Sequence, residues 1–442
     1  MSRRFSVASV LLCACLWLVT AAAASSKDMV DETYVEMNKI VADNLLSAGQ
    51  KIERLRGYFS KQEYWPGVLY RVYQVDPAEG DRIAAELFGK RDTSVKHKLQ
   101  IGRFVLTRRD RPPSDAFVGA YAKFLVEAIL EDKGAAFMRK REEGTETVVA
   151  EYAMIAGGFE GYSWEQFEKF KDKRLIPVLI RCLSAPDEVY GTNHDNMGGK
   201  PGEPTGRDVA RQHIPIALAR LGAVEAAEPL KKALLAHHDY WLRYNSAYAL
   251  SYLLERAESK EIERAIGDLK DKDARLMFFP FGWGLIARGD PDGVPYMSFK
   301  YSSYFSMKDI CAPKYMLEQR LHVLKGFKDK RTEEFFREAL TYEPLRSVLL
   351  LDAGKVEASP WPPFNEPGGG KAAQAEAQLR TMEDDIVKTY RAMLEQIQEN
   401  KLASLCPLIA EIARKTRSQG VREASERWLA NVCQGDSGGK AE

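Results

Sequence analysis

Arg211, Arg243 and Arg275 stand 32 residues apart, each at the head of an apolar stretch with helical spacing. Leu230, Ile262 and Val294 recur behind them with the same period. A unit of this length holds two helices and a turn and is too short to bury its own apolar face, so each unit must cover its neighbour. In successive units Ala217, Leu218 and Leu221, then Ala249, Leu250 and Leu253, fall at i, i+1 and i+4 on one helical face, with small residues where helices approach. The period therefore predicts an all-α chain of stacked helical hairpins.

The turns between the helices carry a further signal. Residues 222–230 run Gly-Ala-Val-Glu-Ala-Ala-Glu-Pro-Leu, residues 289–295 run Gly-Asp-Pro-Asp-Gly-Val-Pro, and Pro177-Val178 sits in an earlier stretch of the same kind. Proline is tolerated there because the first helical turn has no partner for its missing N–H. These segments resemble the turn and second helix of short HEAT-like repeats, over 174–340. The resemblance implies an α-solenoid, an α-α superhelix of stacked HEAT-like hairpins, whose concave face and projecting loops bind a protein or peptide. Pro229 lies 52 residues after Pro177, one unit plus an insertion over 184–207, and the 12-residue step from Leu250 to Ile262 returns, displaced by a second insertion over 298–313, between Leu324 and Phe336. The third copy has Phe281, Gly282, Trp283 and Gly284 where the others have Ala-Leu, which predicts an irregular helix.

Around this core, taken as 145–352, the flanks read as helices without the repeat signature. Residues 25–144 form an N-terminal cap or divergent repeats, with one helix over 28–57 and a hairpin of 96–107 and 114–131, started by Ser114 and stopped by Gly134. A Pro/Gly-rich loop over 353–377 separates the core from C-terminal hairpins over 378–434, including helices at 402–415 and 421–432, and 435–442 reads as a frayed tail.

The N-terminus has a short basic start at Arg3 and Arg4, an apolar run from Val7 to Val19, and small residues from Ala21 to Ala24. This reads as a secretory signal over 1–24 rather than a span, because about 20 apolar residues are needed to cross a bilayer. The expected location is periplasmic or secreted, and no later stretch suggests a membrane span. Without the leader, 62 basic and 63 acidic side chains remain. Such a balance offers no polybasic field for phosphates, so nucleic acid is not an expected partner. Cys182, Cys311, Cys406 and Cys433 follow the leader. A hairpin of the last two helices would bring Cys406 and Cys433 together as a disulfide, whereas Cys182 and Cys311 are expected as thiols.

Candidate ligand-facing residues come from two places. The insertion over 187–203 is rich in oxygen donors and glycine, and Asn193, His194 and Asp195 lie at its centre. Its spacing does not match a helix-loop-helix calcium site, and no metal or cofactor is expected. Residues 276–305 are unusually aromatic, and Trp283 and Tyr301 are candidates to line a groove if their rings are not core. The proline-rich segment with Trp361 could dock on such rings. No Gly-x-Ser-x-Gly or His-Glu-x-x-His motif occurs, and no histidine is followed by glutamate, so the enzyme class of HEAT-like proteins with paired His-Glu motifs is excluded. The expectation is a non-enzymatic scaffold or adaptor for a protein or peptide. The alternatives are a metal-dependent binder or enzyme using the 184–207 loop with nearby histidines, and a structural envelope component.

Overall fold

A computed structural model describes residues 32–61, 64–108, 112–135, 148–158, 164–185, 209–237, 239–271, 273–302, 310–358 and 371–433. The leader over 1–24, the 187–203 loop with Asn193, His194 and Asp195, the Trp361 segment and the tail over 435–442 lie outside the described residues. Among the described residues the chain is all-helical, with no strand. It divides between Pro229 and Leu230 into two compact units.

The first unit contains α1 (Glu32–Ala42), α2 (Ala48–Arg56), α3 (Trp65–Val75), α4 (Pro77–Gly89), α5 (Val95–Leu106), α6 (Asp115–Asp132), α7 (Val148–Gly157), α8 (Ile176–Ser184) and α9 (Val209–Leu221). The single helix expected over 28–57 is broken into α1 and α2. Asp43 Oδ1 accepts from the Leu45 amide at 2.9 Å, and Ser47 opens α2 through a reciprocal capping box with Gln50. Side-chain to main-chain bonds of this kind compete with the helix ladder, and here they override an uninterrupted apolar period. The α5–α6 hairpin begins α6 with the Ser114 cap and ends it in left-handed Lys133 and Gly134, at φ 53° and 75°. Tyr121 of α6 lies against Gly102 of α5, where a Cβ would strike its ring. Its hydroxyl donates to the buried Glu151 of α7 at 3.2 Å, and Glu151 accepts from Arg103 of α5 at 2.7 Å. Three helices are thus tied at one buried carboxylate.

Helix α10 (Ala227–Ala236) spans the division. The second unit continues with α11 (Tyr240–Leu253), α12 (Arg256–Asp268), α13 (Phe278–Ala287), α14 (Cys311–Val323), α15 (Thr332–Thr341), α16 (Glu343–Leu350), α17 (Lys371–Thr381), α18 (Glu383–Glu399), α19 (Cys406–Lys415) and α20 (Gln419–Val432). Met297, Phe299, Leu317, Phe336, Tyr390, Ile409 and Trp428 belong to its core. The expected irregularity at Phe281 to Gly284 does not occur, since α13 is unbroken. Its glycines serve packing instead. A Cβ on Gly284 would collide with Ser251 Oγ and the Tyr248 carbonyl of α11, and one on Gly282 would meet Tyr296 and the Gly293 carbonyl. The segment after α13 departs from a second α-helix and forms a 3₁₀ run, Pro291–Met297, with Pro295 inside it. The loop expected through 377 ends earlier, because the alanine-rich stretch beginning at Lys371 forms α17. Cys406 and Cys433 are joined as a disulfide, with Cα atoms 6.4 Å apart, while Cys182 and Cys311 are thiols.

The periodic arginines have a physical role. Arg211 Nη2 donates to the carbonyls of Leu183 and Ala185, both at 2.9 Å, where α8 ends. Arg243 Nε donates to the Leu234 carbonyl at 3.0 Å in the last turn of α10. Each reaches back to carbonyls that a helix end leaves without a partner. Arg275 is exposed and breaks the series, in a 3₁₀ turn, Ala274–Met277. Leu230, Ile262 and Val294 are all buried.

Candidate functional site

Helix α13 separates the two described candidates. Positions 279 and 283 share the face turned to α11, and positions 278 and 281 share the face turned to the 3₁₀ run. The Trp283 ring lies 5.1 Å from Tyr248 and 6.5 Å from Phe279. Tyr301 lies 5.2 Å from Phe278 and 5.9 Å from Tyr296, with Lys300 Nζ 4.8 Å above its ring. Both residues are half-buried and they join different aromatic clusters. Tyr296 also donates to Glu263, so the Tyr301 cluster is braced by a hydrogen bond.

The Trp283 cluster is the larger. Tyr240, Tyr244, Tyr248 and Tyr252 recur every four residues on one face of α11, and Trp241 flanks the first. Ring centroids are separated by 5.0 Å from Trp241 to Tyr240, 5.8 Å from Tyr240 to Tyr244, and 6.3 Å from Tyr244 to Phe279. The line continues through Trp283 and Tyr248 to Tyr252, 6.0 Å further on. Asp239 starts α11 by accepting from the Trp241 and Leu242 amides, which fixes where the face begins. Trp241 is 43% exposed at its outer end. Attention to 276–305 alone misses α11, although the four-residue tyrosine spacing is legible in the sequence.

Arg320 of α14 lies at the foot of this face and is 0% exposed. Its guanidinium carbon sits 4.0 Å from the Phe279 centroid and 5.7 Å from that of Phe299. Nε donates to the Met297 carbonyl at 3.2 Å, and Nη1 contacts the Met316 carbonyl at 3.4 Å and Gln319 Oε1 at 3.3 Å. Nη2 has no acceptor. Burial pulls the guanidinium down to about 10, against a smaller opposing influence of Tyr244, Glu338, Tyr315 and Tyr240. A planar cation between aromatic faces, with one nitrogen free to donate, is suited to binding an anion.

Two of the described histidines are committed to local structure. His237 Nδ1 accepts from the Asp239 amide at 2.9 Å. His213 has its Nδ1 enclosed against Gly157, and burial lowers the imidazole to about 4. A cavity of ≈ 490 Å³ is lined by Glu343, Arg346, Lys355, Lys415 and Arg417 among others; Lys355 is paired with Glu343 at 2.7 Å and both Arg346 and Lys415 with Glu411, while Arg417 makes no ion pair among the described residues. Among the described residues no group of three or more His, Cys, Asp or Glu side chains is placed to hold a metal. Compared with known protein families, with curated proteins and with solved structures, the chain has no match.

Proposed function

We propose that the chain is an exported HEAT-like repeat scaffold or adaptor, an α-solenoid of stacked hairpins that binds a protein or peptide partner without catalysing a reaction on it. The observation that carries the binding reading is the aromatic face of α11, which runs from its contact with buried Phe279 of α13 to exposed Trp241. Tyrosine and tryptophan give large contact area for little loss of conformational entropy and dominate protein interfaces. The repeat reading is supported by the equivalent use of Arg211 and Arg243 at successive helix ends. A periplasmic or secreted location is supported by the leader-like N-terminus and by the Cys406–Cys433 bridge, since disulfides persist in oxidising compartments. Among the described residues no helix is long and apolar enough to cross a membrane.

The test uses the chain from Ser25 onward and its Trp241→Asp variant as baits in envelope extract, with a variant lacking 184–207 alongside. A partner retained by the intact chain and lost with Trp241→Asp at unchanged melting temperature is the expected result. Equal retention by Trp241→Asp would remove the α11 face from the reading. Loss only with the deletion would move the contact to the inserted loop.

A further inference from the structure

We infer that Arg320 anchors a carboxylate carried by a bound peptide, at the inner end of the α11 aromatic face. Arg243 and Arg320 do the same structural work, each sending Nε to a main-chain carbonyl near the end of a preceding helical segment, Leu234 in one case and Met297 in the other. Arg243 then completes a fork with Asp271, whose two oxygens accept from Nη1 and Nη2 at 3.1 and 2.8 Å. Arg320 meets only neutral acceptors through Nη1, and its Nη2 meets none. The more deeply buried of the two cations is therefore the one without a hydrogen-bonded carboxylate, Glu338 acting on it only through space.

That arrangement is unfavourable for a purely structural arginine. A guanidinium removed from water requires compensation, and its attraction to the Phe279 face supplies a part of it. With Nε and Nη1 already donating, Nη2 alone is left to give a charge-assisted hydrogen bond to a carboxylate oxygen. A phosphate matches less well than a carboxylate, because it would bring a larger negative charge between the apolar Phe279 and Phe299 walls and beside Glu338, which is held by Ser298 Oγ and the Phe299 amide. Tyr240, Tyr244 and Tyr315 act on the Arg320 charge from nearby. Tyr315 is 41% exposed. Because Arg320 itself is enclosed, entry requires these neighbours to give way. The carboxylate belongs to a peptide only if the partner-binding reading holds, so the experiment separates the two.

N-acetylphenylalanine and its uncharged analogue N-acetylphenylalaninamide are titrated into the chain from Ser25 onward, with melting temperature and tryptophan fluorescence as readouts. The acid is expected to bind saturably and at least tenfold more tightly than the amide. Arg320→Met, which keeps the bulk and removes the charge, is expected to melt no lower than the parent and to abolish the discrimination. Equal binding of acid and amide, binding of neither, or retained preference in Arg320→Met would overturn the assignment. The acid–amide comparison on the unaltered protein decides the matter even if the variant does not fold. Capture of the same partner by Arg320→Met bait, with the preference lost, would leave the adaptor reading standing independently of how the partner's carboxylate is held.

Discussion

Replacing Gly284 by alanine tests the closeness of α11 and α13, on which the aromatic face depends. In an unobstructed helix interior the change from glycine to alanine stabilises by about 0.5–1 kcal/mol, because alanine loses less backbone freedom on folding. At Gly284 the new methyl would meet three atoms of α11: Ser251 Oγ, the Tyr248 carbonyl and, at 3.1 Å, the Tyr252 amide nitrogen. Ser251 is buried and its hydroxyl donates to the Tyr248 carbonyl at 3.0 Å, so rotating it away breaks a bond, and the main-chain atoms cannot rotate at all. Overpacking against such neighbours costs about 1–3 kcal/mol, and the rigid contacts place this site in the upper half of that range. The net expectation is a destabilisation of about 1–2 kcal/mol, or roughly 2–8 °C in melting temperature for a unit of this size. Gly267 in α12 provides the control, since a Cβ there meets nothing within 4 Å, and its replacement by alanine should stabilise by up to about 0.5 kcal/mol near the helix end. Guanidinium unfolding followed by far-UV circular dichroism reads both. If Gly284→Ala stabilises as much as Gly267→Ala, α11 and α13 do not approach as described and the reasoning fails.

Two further expectations concern other parts of the chain. His213 is held at about 4 by burial, below its ordinary 6.5, so the unfolded chain binds the extra proton first and stability falls as pH drops from about 6.5 to about 4, flattening below. Relative to His213→Gln, the parent should lose on the order of 3 kcal/mol across that window, and a flat difference between the two urea-unfolding curves from pH 7 to pH 4 would show that the imidazole is not desolvated. The Cys406–Cys433 bridge spans 27 residues, and closing a loop of that size in the unfolded chain is worth at most about 3.5 kcal/mol. The double variant Cys406→Ala with Cys433→Ala should unfold at lower urea than the oxidised parent, and coincident midpoints would mean that the bridge does not form in solution.

The helices were legible where period and local signals agree. Ser114, Gly134 and the buried triplet Leu230, Ile262 and Val294 are found as spacing and capping chemistry require. The errors lie where a short-range interaction overrides the period or the period is silent. Asp43 and Ser47 break a helix that apolar spacing alone would continue, and the run from Lys371 is helical by alanine content although it follows a proline- and glycine-rich stretch. Gly282 and Gly284 read as helix-weakening because the sequence does not reveal which backbone lies opposite them.

The same distinction explains why the most unusual charged group was missed. Arg211 and Arg243 announce themselves by their interval, whereas Arg320 falls 45 residues after Arg275, and its sequence neighbours Gln319 and Leu321 mark nothing. Its character is set by what is absent from its edge and by two phenylalanines at distant positions, 279 and 299. A repeated residue whose carboxylate partner is supplied by the chain, as Asp271 is for Arg243, can be read as architecture. A residue in the same role without that partner departs from the architecture that repetition specifies. That departure makes Arg320, rather than the periodic arginines, the place to look for recognition.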